Sequence, residues 1–138
     1  MALTVLDAGV VIAILDASDV HHQAALAGVK SAVDRGDELV LPASAYAEVL
    51  VAPHRRGRQA VATVEAFVDA LPARVEPATR AIAAIAAELR ARHGAKLRLP
   101  DALVVATALG LGAERVLTTD ARWPRLPVTV EIIRQEAG

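Results

Sequence analysis

The sequence contains no cysteine and very few aromatic residues. Without cysteine among its 138 residues, the chain has no disulfide bonds, thiolate metal sites or cysteine nucleophile, and it suits a reducing compartment. The single tyrosine, phenylalanine and tryptophan are Tyr46, Phe67 and Trp123. They are too few to form a platform on which the bases of a single strand stack. We therefore interpret Trp123 as a packing residue.

Neither sign of charge dominates, and no apolar run is long. The 15 basic and 16 acidic residues give a net charge of −1, so any contact with nucleic acid must come from a local basic patch. The apolar run at residues 10–15 is far shorter than the roughly 20 residues of a membrane helix. Residues 1–15 lack a basic start and contain Asp7, unlike a signal peptide. We expect a cytoplasmic protein without a membrane segment.

Short apolar runs alternate with helical stretches along the chain. Predicted strands cover residues 3–6, 39–41, 74–75, 114–119 and 128–133. Residues 8–15 suit a short apolar helix or a turn. Predicted helices cover residues 43–52, 57–70, 78–93 and 100–111, and a further helix runs from a cap at Ser18 or Asp19 to about residue 35. Because helices join successive strands, the sequence predicts an α/β fold with a mostly parallel sheet of four to five strands, covered on both faces. The length suits one domain over residues 1–138.

Four carboxylates stand in apolar surroundings near the boundaries of predicted elements. They are Asp7, Glu48, Asp101 and Asp120. Asp7 and Asp120 directly follow strands, Asp101 lies in the first turn of a helix, and Glu48 lies about two turns into the helix after the second strand. Because ligands of a parallel sheet bind beyond the carboxyl ends of its strands, we expect the four side chains to converge on one pocket.

Converging carboxylates repel one another unless a cation neutralises them. Two like charges about 4 Å apart cost roughly 1 kcal/mol in water and about 4 kcal/mol at an effective dielectric constant of 20. Ligand sets made only of oxygen favour Mg²⁺ or Mn²⁺ over zinc. Such an ion activates water and orients a phosphate, so the cluster predicts cleavage of phosphodiesters.

Each acid also has a structural interpretation. An acid at the first turn of a helix, such as Asp101, interacts favourably with the helix dipole. Asp120 suits a turn or a helix cap, and Glu48 suits the exposed face of an amphipathic helix. Asp7 has the weakest alternative of this kind, because both of its flanks look buried. The four acids together favour a site.

The order and spacing of these acids resemble a known family. The segments that carry the resemblance are Val5-Leu6-Asp7-Ala8, the alanine-rich helix around Glu48, Pro100-Asp101-Ala102-Leu103 and Leu117-Thr118-Thr119-Asp120. Over essentially the whole chain they resemble the PIN domain, and within it the VapC-type toxins of bacterial toxin–antitoxin pairs. The resemblance implies a PIN-like three-layer α/β/α sandwich. It also implies a Mg²⁺-dependent endoribonuclease that forms a homodimer and is inhibited by a VapB-type antitoxin whose tail enters the acidic pocket.

The motif positions imply roles for individual residues. Asp7, Glu48, Asp101 and Asp120 would be the catalytic and metal-binding acids, and Thr118 would be a supporting hydroxyl near the metal. The sequence departs from the family at Gly9, where the family usually has a polar residue such as serine or asparagine. The polar contact expected from that position must come from water or backbone, which bears on metal affinity.

Basic residues near Asp101 are candidates for RNA binding. They are Arg90, Arg92, Lys96 and Arg98, and a nuclease needs such cations to hold the phosphate backbone. The alternative is a solvated basic face. A second tract, residues 55–58, suits an antitoxin or dimer surface.

Two other functions compete with the nuclease interpretation. The first is a catalytically silent binding module for RNA or protein, which keeps the fold and lacks turnover; Gly9 favours it, whereas the presence of all four acids does not. The second is a phosphotransfer receiver domain, which needs paired acids at the end of the first strand. Only Asp7 is present there, so the nuclease remains the preferred interpretation.

Overall fold

The computed structural model describes residues 2–135 as alternating strands and helices. Within this part, the five strands are β1 (Leu3–Leu6), β2 (Glu38–Pro42), β3 (Ala73–Glu76), β4 (Arg115–Thr118) and β5 (Thr129–Ile132). The six α-helices are α1 (Ala8–Leu15), α2 (His22–Asp34), α3 (Ala43–Arg56), α4 (Arg58–Ala70), α5 (Arg80–His93) and α6 (Leu99–Leu111). A 3-10 turn, Gly94–Lys96, joins α5 to α6. No helix in residues 2–135 is both long and apolar enough to cross a membrane.

The strands form one sheet in which every neighbouring pair is parallel. The spatial order is β3-β2-β1-β4-β5, so the chain leaves β1 in one direction and later returns to its other side. Ligands of such sheets bind beyond the carboxyl ends of the strands where the order reverses. Here that point lies between β1 and β4, where Leu6 pairs with Leu117. The residues that follow these two strands therefore meet at one edge of the sheet.

Helices cover both faces of the sheet, which gives the predicted three-layer α/β/α sandwich. The inner strands β1, β2 and β4 are buried apart from the first residue of each, as near-continuous apolar runs in a parallel sheet should be. A second, smaller core lies between α5 and α6 and contains Ile82, Leu89 and Val105. Trp123 packs against both cores, so its interpretation as a packing residue is confirmed.

The start of α2 differs from the prediction. The helix begins at His22, and its N-cap residue, His21, makes no side-chain cap hydrogen bond. The carboxylate of Asp16 instead accepts from the backbone N–H and the hydroxyl of Ser18, at 3.0 and 2.6 Å. The carboxylate of Asp19 accepts from the His21 N–H at 2.8 Å. Ser18 and Asp19 thus belong to turns that precede the helix, because short polar side chains bond readily to nearby backbone.

Candidate acidic active site

Asp7 lies at the carboxyl end of β1 and is the N-cap residue of α1. Its side chain is buried, with 8% of the residue exposed. The Oδ1 atom accepts from the Ala8 N–H at 2.9 Å, and Oδ2 accepts from the Thr118 hydroxyl at 2.7 Å. Burial raises the pKa of Asp7 to about 6, and the charges of Asp101 and Glu48 act in the same direction. The two hydrogen bonds stabilise the charged form and oppose this rise.

Thr118 joins Asp7 to Asp120. Its side chain is fully buried at the end of β4, where the hydroxyl donates to Asp7 and accepts from the Asp120 N–H at 3.1 Å. The hydroxyl thus lies among the predicted site residues. Its role beside a metal ion stays a prediction, whereas its role in holding the two aspartates together is direct.

Asp120 is paired with an arginine two residues further along the chain. Its Oδ1 atom accepts from the backbone N–H of Arg122 at 2.8 Å and from Nε at 3.1 Å, and Oδ2 accepts from Nη2 at 3.4 Å. The side-chain hydrogen bond to Arg122 is the main reason why the pKa of Asp120 lies below its usual value. Asp120 is therefore charged at neutral pH.

Asp101 shares a pocket with Asp120. The pocket has a volume of about 250 Å³, and its lining includes Lys96, Arg98, Asp101, Asp120, Arg122 and Trp123. Partial burial raises the pKa of Asp101, the nearby charge of Arg98 lowers it, and the negative charge of Asp120 raises it. The pocket therefore contains two carboxylates whose pKa values are shifted in opposite directions: Asp120 stays charged, and Asp101 protonates more readily.

Glu48 lies further out than the other three acids. It is exposed on α3 and lines a different pocket, of about 430 Å³, together with Ile12, Asp16 and Arg56. Its pKa is raised by desolvation first and then by the charge of Asp101, whereas Arg98 lowers it. The electrostatic contact with Asp101 places Glu48 near the acidic pocket without making it part of the same lining.

The four acids repel one another in pairs and do not form a closed set of metal ligands. The charges of Asp101 and Glu48 raise the pKa of Asp7. The charge of Asp101 raises the pKa of Glu48, and the charge of Asp120 raises the pKa of Asp101. As the side chains stand, residues 2–135 contain no group of three or more His, Asp or Glu that could hold a metal ion. Convergence of all four acids on one ion stays a prediction.

The order of the elements and the positions of the acids match a known family. The PIN domain model matches residues 4–128, which is most of the chain and includes all four acids. The chain belongs to the PIN domain family. No curated protein matches it.

Solved structures share the fold of this PIN domain at low sequence identity. A toxin–antitoxin complex from Klebsiella pneumoniae has a TM-score of 0.72 at 20% identity, covering 99% of this chain and 100% of the other. VapC20 of Mycobacterium tuberculosis, a toxin that cleaves the sarcin–ricin loop, has a TM-score of 0.65 at 22% identity, covering 82% and 86%. FitAcB of Neisseria gonorrhoeae has a TM-score of 0.70 at 20% identity, covering 92% and 95%. At these identities the likeness establishes the fold of the PIN domain.

The chemistry of the donor set in this PIN domain fits Mg²⁺ or Mn²⁺. The candidate ligands are carboxylate oxygens, the donors that these hard ions prefer, and the pocket lining contains no histidine. The mutual repulsion described above is also relieved by a cation. Two of the carboxylates are engaged elsewhere, Asp7 by Thr118 and Asp120 by Arg122.

The predicted RNA-binding tract of the PIN domain divides into two parts. Lys96 and Arg98 line the pocket of Asp101 and Asp120. Arg92 pairs instead with Glu88 on the exposed face of α5, at 3.5 Å, and Arg90 is exposed on the same helix. Only the part nearest α6 therefore lies at the acidic pocket, and RNA binding by any of the four stays a prediction.

Sequence reasoning overlooked the polar roles of two residues of the pocket. Arg122 was not among the candidates, although an arginine two residues after an aspartate in a turn could have suggested the pairing. The Nε1 atom of Trp123 is buried without a hydrogen-bond partner in residues 2–135. Trp123 nevertheless lies close enough to Asp101 to lower the pKa of that carboxyl slightly. A packing tryptophan thus also presents a polar edge to the site.

Proposed function

We propose that this PIN domain is a Mg²⁺-dependent endoribonuclease and acts as the toxin of a toxin–antitoxin pair. One observation carries the proposal. Asp7 is buried at the point where the strand order reverses, in contact through Thr118 with Asp120 and under the charge of Asp101. A buried carboxylate beside other acids is costly to keep without a function. The toxins among the structural neighbours support the same function.

The predicted site residues have distinct parts in this proposal. Asp7, Asp101, Asp120 and Glu48 would hold the ion, either Mg²⁺ or Mn²⁺. When bound, the ion supplies an activated water and neutralises charge on the phosphate. Arg98 and Lys96 bind the phosphate backbone at the rim of the pocket. Thr118 keeps the carboxylate of Asp7 oriented towards the pocket edge.

The antitoxin and dimer partners belong to the same proposal. Structural neighbours of the chain were solved as toxin–antitoxin assemblies, which supports a VapB-type antitoxin for this protein. A basic side chain from a segment of the antitoxin would pair with the carboxylates of Asp101 and Asp120 in the pocket. A homodimer and a cytoplasmic location complete the proposal.

The proposal is tested by incubating total RNA with purified protein in Mg²⁺ or in EDTA. The key variant is Asp101→Asn, and the matched control is Asp69→Asn, an equally conservative change at an exposed position on α4. We expect discrete RNA fragments from the wild type and the control in Mg²⁺, and intact RNA from Asp101→Asn and in EDTA. Cleavage by Asp101→Asn at the wild-type rate would overturn the proposed role of the pocket.

A silent binding module remains the second candidate. Two observations favour it: Asp120 is already paired with Arg122, and no three acids in residues 2–135 form a metal-binding group. This function predicts RNA that stays intact in every lane while the folded wild type, free of antitoxin, still binds RNA or a protein. The same incubation, followed by a binding assay, therefore separates the two functions.

A further inference from the structure

Gly9 leaves a space in the first turn of α1 that another residue fills. A Cβ atom built on Gly9 would lie 2.5 Å from the hydroxyl oxygen of Thr119, closer than such atoms can approach. The Cβ and methyl carbon of Thr119 lie further away, at 3.7 and 3.9 Å. The atom that occupies the space at position 9 is therefore a hydroxyl oxygen.

At Gly9 the segment after β4 therefore approaches α1 at a second point. The first point is the hydrogen bond from Thr118 to Asp7, the N-cap residue of α1. The second is the contact of Thr119 with Gly9, two residues into the same helix. Asp120 follows immediately and donates its backbone N–H to Thr118. Thr118 thus bonds to both Asp7 and Asp120, and Thr119 lies against the same turn of α1.

The contact also supplies a polar group. Because the hydroxyl of Thr119 overlaps the volume of a side chain at position 9, a larger residue there would displace it. Glycine at position 9 and threonine at position 119 are therefore matched. Together they place one hydroxyl beside the turn that begins with Asp7.

We propose that Thr119 is a positioning residue of the acidic pocket, whose hydroxyl replaces the polar side chain that position 9 lacks and holds Asp120 in register with Asp7 for metal binding. The inference rests on the proposed function, since it assigns Thr119 to the same site. Groups that orient metal ligands from outside the ligand set typically change metal affinity by about 10- to 100-fold when they are removed. We expect the lower end of this range, because Thr119 acts through its neighbours.

The first experiment compares Thr119→Val with Thr119→Ser. Valine keeps the branched shape and lacks the hydroxyl, whereas serine keeps the hydroxyl. We expect Thr119→Val to weaken Mg²⁺ binding about 10-fold, measured by titration calorimetry, with a nearly unchanged melting temperature of the metal-free protein. Thr119→Ser should retain wild-type affinity. Equal affinity of Thr119→Val and the wild type would overturn the inference and leave the proposed function standing.

The second experiment moves the hydroxyl to the other side of the contact. Gly9→Ser alone should lower the melting temperature of the metal-free protein and weaken Mg²⁺ binding, because its Cβ collides with Thr119. The double variant with Gly9→Ser and Thr119→Ala removes the colliding oxygen and returns a hydroxyl at position 9. We expect it to recover both the melting temperature and the Mg²⁺ affinity.

The remaining outcomes are also decisive. Failure of the double variant to bind Mg²⁺ better than Gly9→Ser would show that the two positions are not interchangeable and would overturn the inference. A folded wild type that neither binds Mg²⁺ nor cleaves RNA would overturn the proposed function together with the inference. That result is recognised in the wild type itself, before any variant is compared.

Discussion

The Thr118 hydroxyl donates a 2.7 Å hydrogen bond to Oδ2 of Asp7, across 111 positions of sequence. Both groups are buried, so neither is free to exchange its partner for water. The bond joins the ends of β1 and β4 at the point where the strand order reverses. Through the same hydroxyl, which also accepts from the Asp120 N–H, Asp7 is tied to the segment that carries Asp120.

Removing this hydroxyl should destabilise the protein at neutral pH. Thr118→Val leaves the Asp7 carboxylate without one of its two donors, and an unpaired buried polar group costs about 1–3 kcal/mol, more when it is charged. We expect the free energy of unfolding, measured with urea at pH 8, to decrease by at least this amount. Thr107→Val is the matched control, because the Thr107 hydroxyl is also buried but bonds only to the Leu103 carbonyl. An equal loss in both variants would contradict the special role of Thr118.

The raised pKa of Asp7 should make stability depend on pH. Its pKa is about 6 in the folded protein, against 3.8 for an unperturbed aspartate, so the folded protein binds the proton more tightly than the unfolded chain. The contribution of Asp7 to the free energy of unfolding therefore decreases as the pH rises from about 4 to 6, by about 3 kcal/mol in total. Asp7→Asn removes this contribution.

The measurement is the difference in unfolding free energy between Asp7→Asn and the wild type at several pH values. The free energy of unfolding of the variant should increase relative to that of the wild type as the pH rises from about 4 to 6. The difference should be constant above about pH 7. Loss of one acceptor in asparagine adds an offset that does not depend on pH. A difference that stays constant across the whole window would mean that the pKa of Asp7 is not raised.

The placement of Asp7 and Asp120 could be predicted because it follows from backbone pairing. Each acid ends a short apolar run, and parallel strands bring the ends of such runs to the same edge. The structure pairs Leu6 with Leu117, and the hydroxyl of the next residue, Thr118, bonds to both acids. The sequence also predicts the fold class, the strands and the edge of the sheet where the site lies. All three depend on the periodicity and order of the apolar segments.

Side-chain partners could not be predicted in this way. The sequence allows Glu48 either to join the other acids or to lie on the exposed face of its helix, because the outcome depends on how α3 packs against the sheet. The pairing of Asp120 with Arg122 and the contact of Thr119 with Gly9 depend on how the chain turns after β4. The missing side chain at position 9 was visible in the sequence, whereas the residue that fills its place was not.

Arg122 should compete with a metal ion for Asp120. Its side chain is 87% exposed, so Arg122→Gln should change the unfolding free energy by less than about 0.5 kcal/mol. Because the variant releases the carboxylate and removes a positive charge from the pocket, we expect Mg²⁺ to bind several-fold more tightly in titration calorimetry. The control is Arg125→Gln, at an exposed position three residues further on. Unchanged or weaker Mg²⁺ binding by Arg122→Gln would show that the arginine does not compete.

The two parts of the basic tract should differ in their contribution to RNA binding. Arg98 lines the acidic pocket and its charge acts on Glu48, Asp101 and Asp120, whereas Arg90 is exposed on α5. We expect Arg98→Gln to weaken the binding of labelled RNA in EDTA, where no cleavage occurs, and to reduce the slope of log affinity against log salt by about 1. Arg90→Gln should leave both quantities unchanged.

The salt slope makes this comparison specific to phosphate contact. A variant that only disturbs the fold lowers affinity without a defined change in slope, and its melting temperature reports the disturbance. Loss of one ion contact releases one fewer counterion, so the slope changes even when the protein is fully folded. If Arg90→Gln and Arg98→Gln reduce the slope equally, the RNA path follows the exposed face of α5 as well as the pocket, and the assignment to Arg98 alone is wrong.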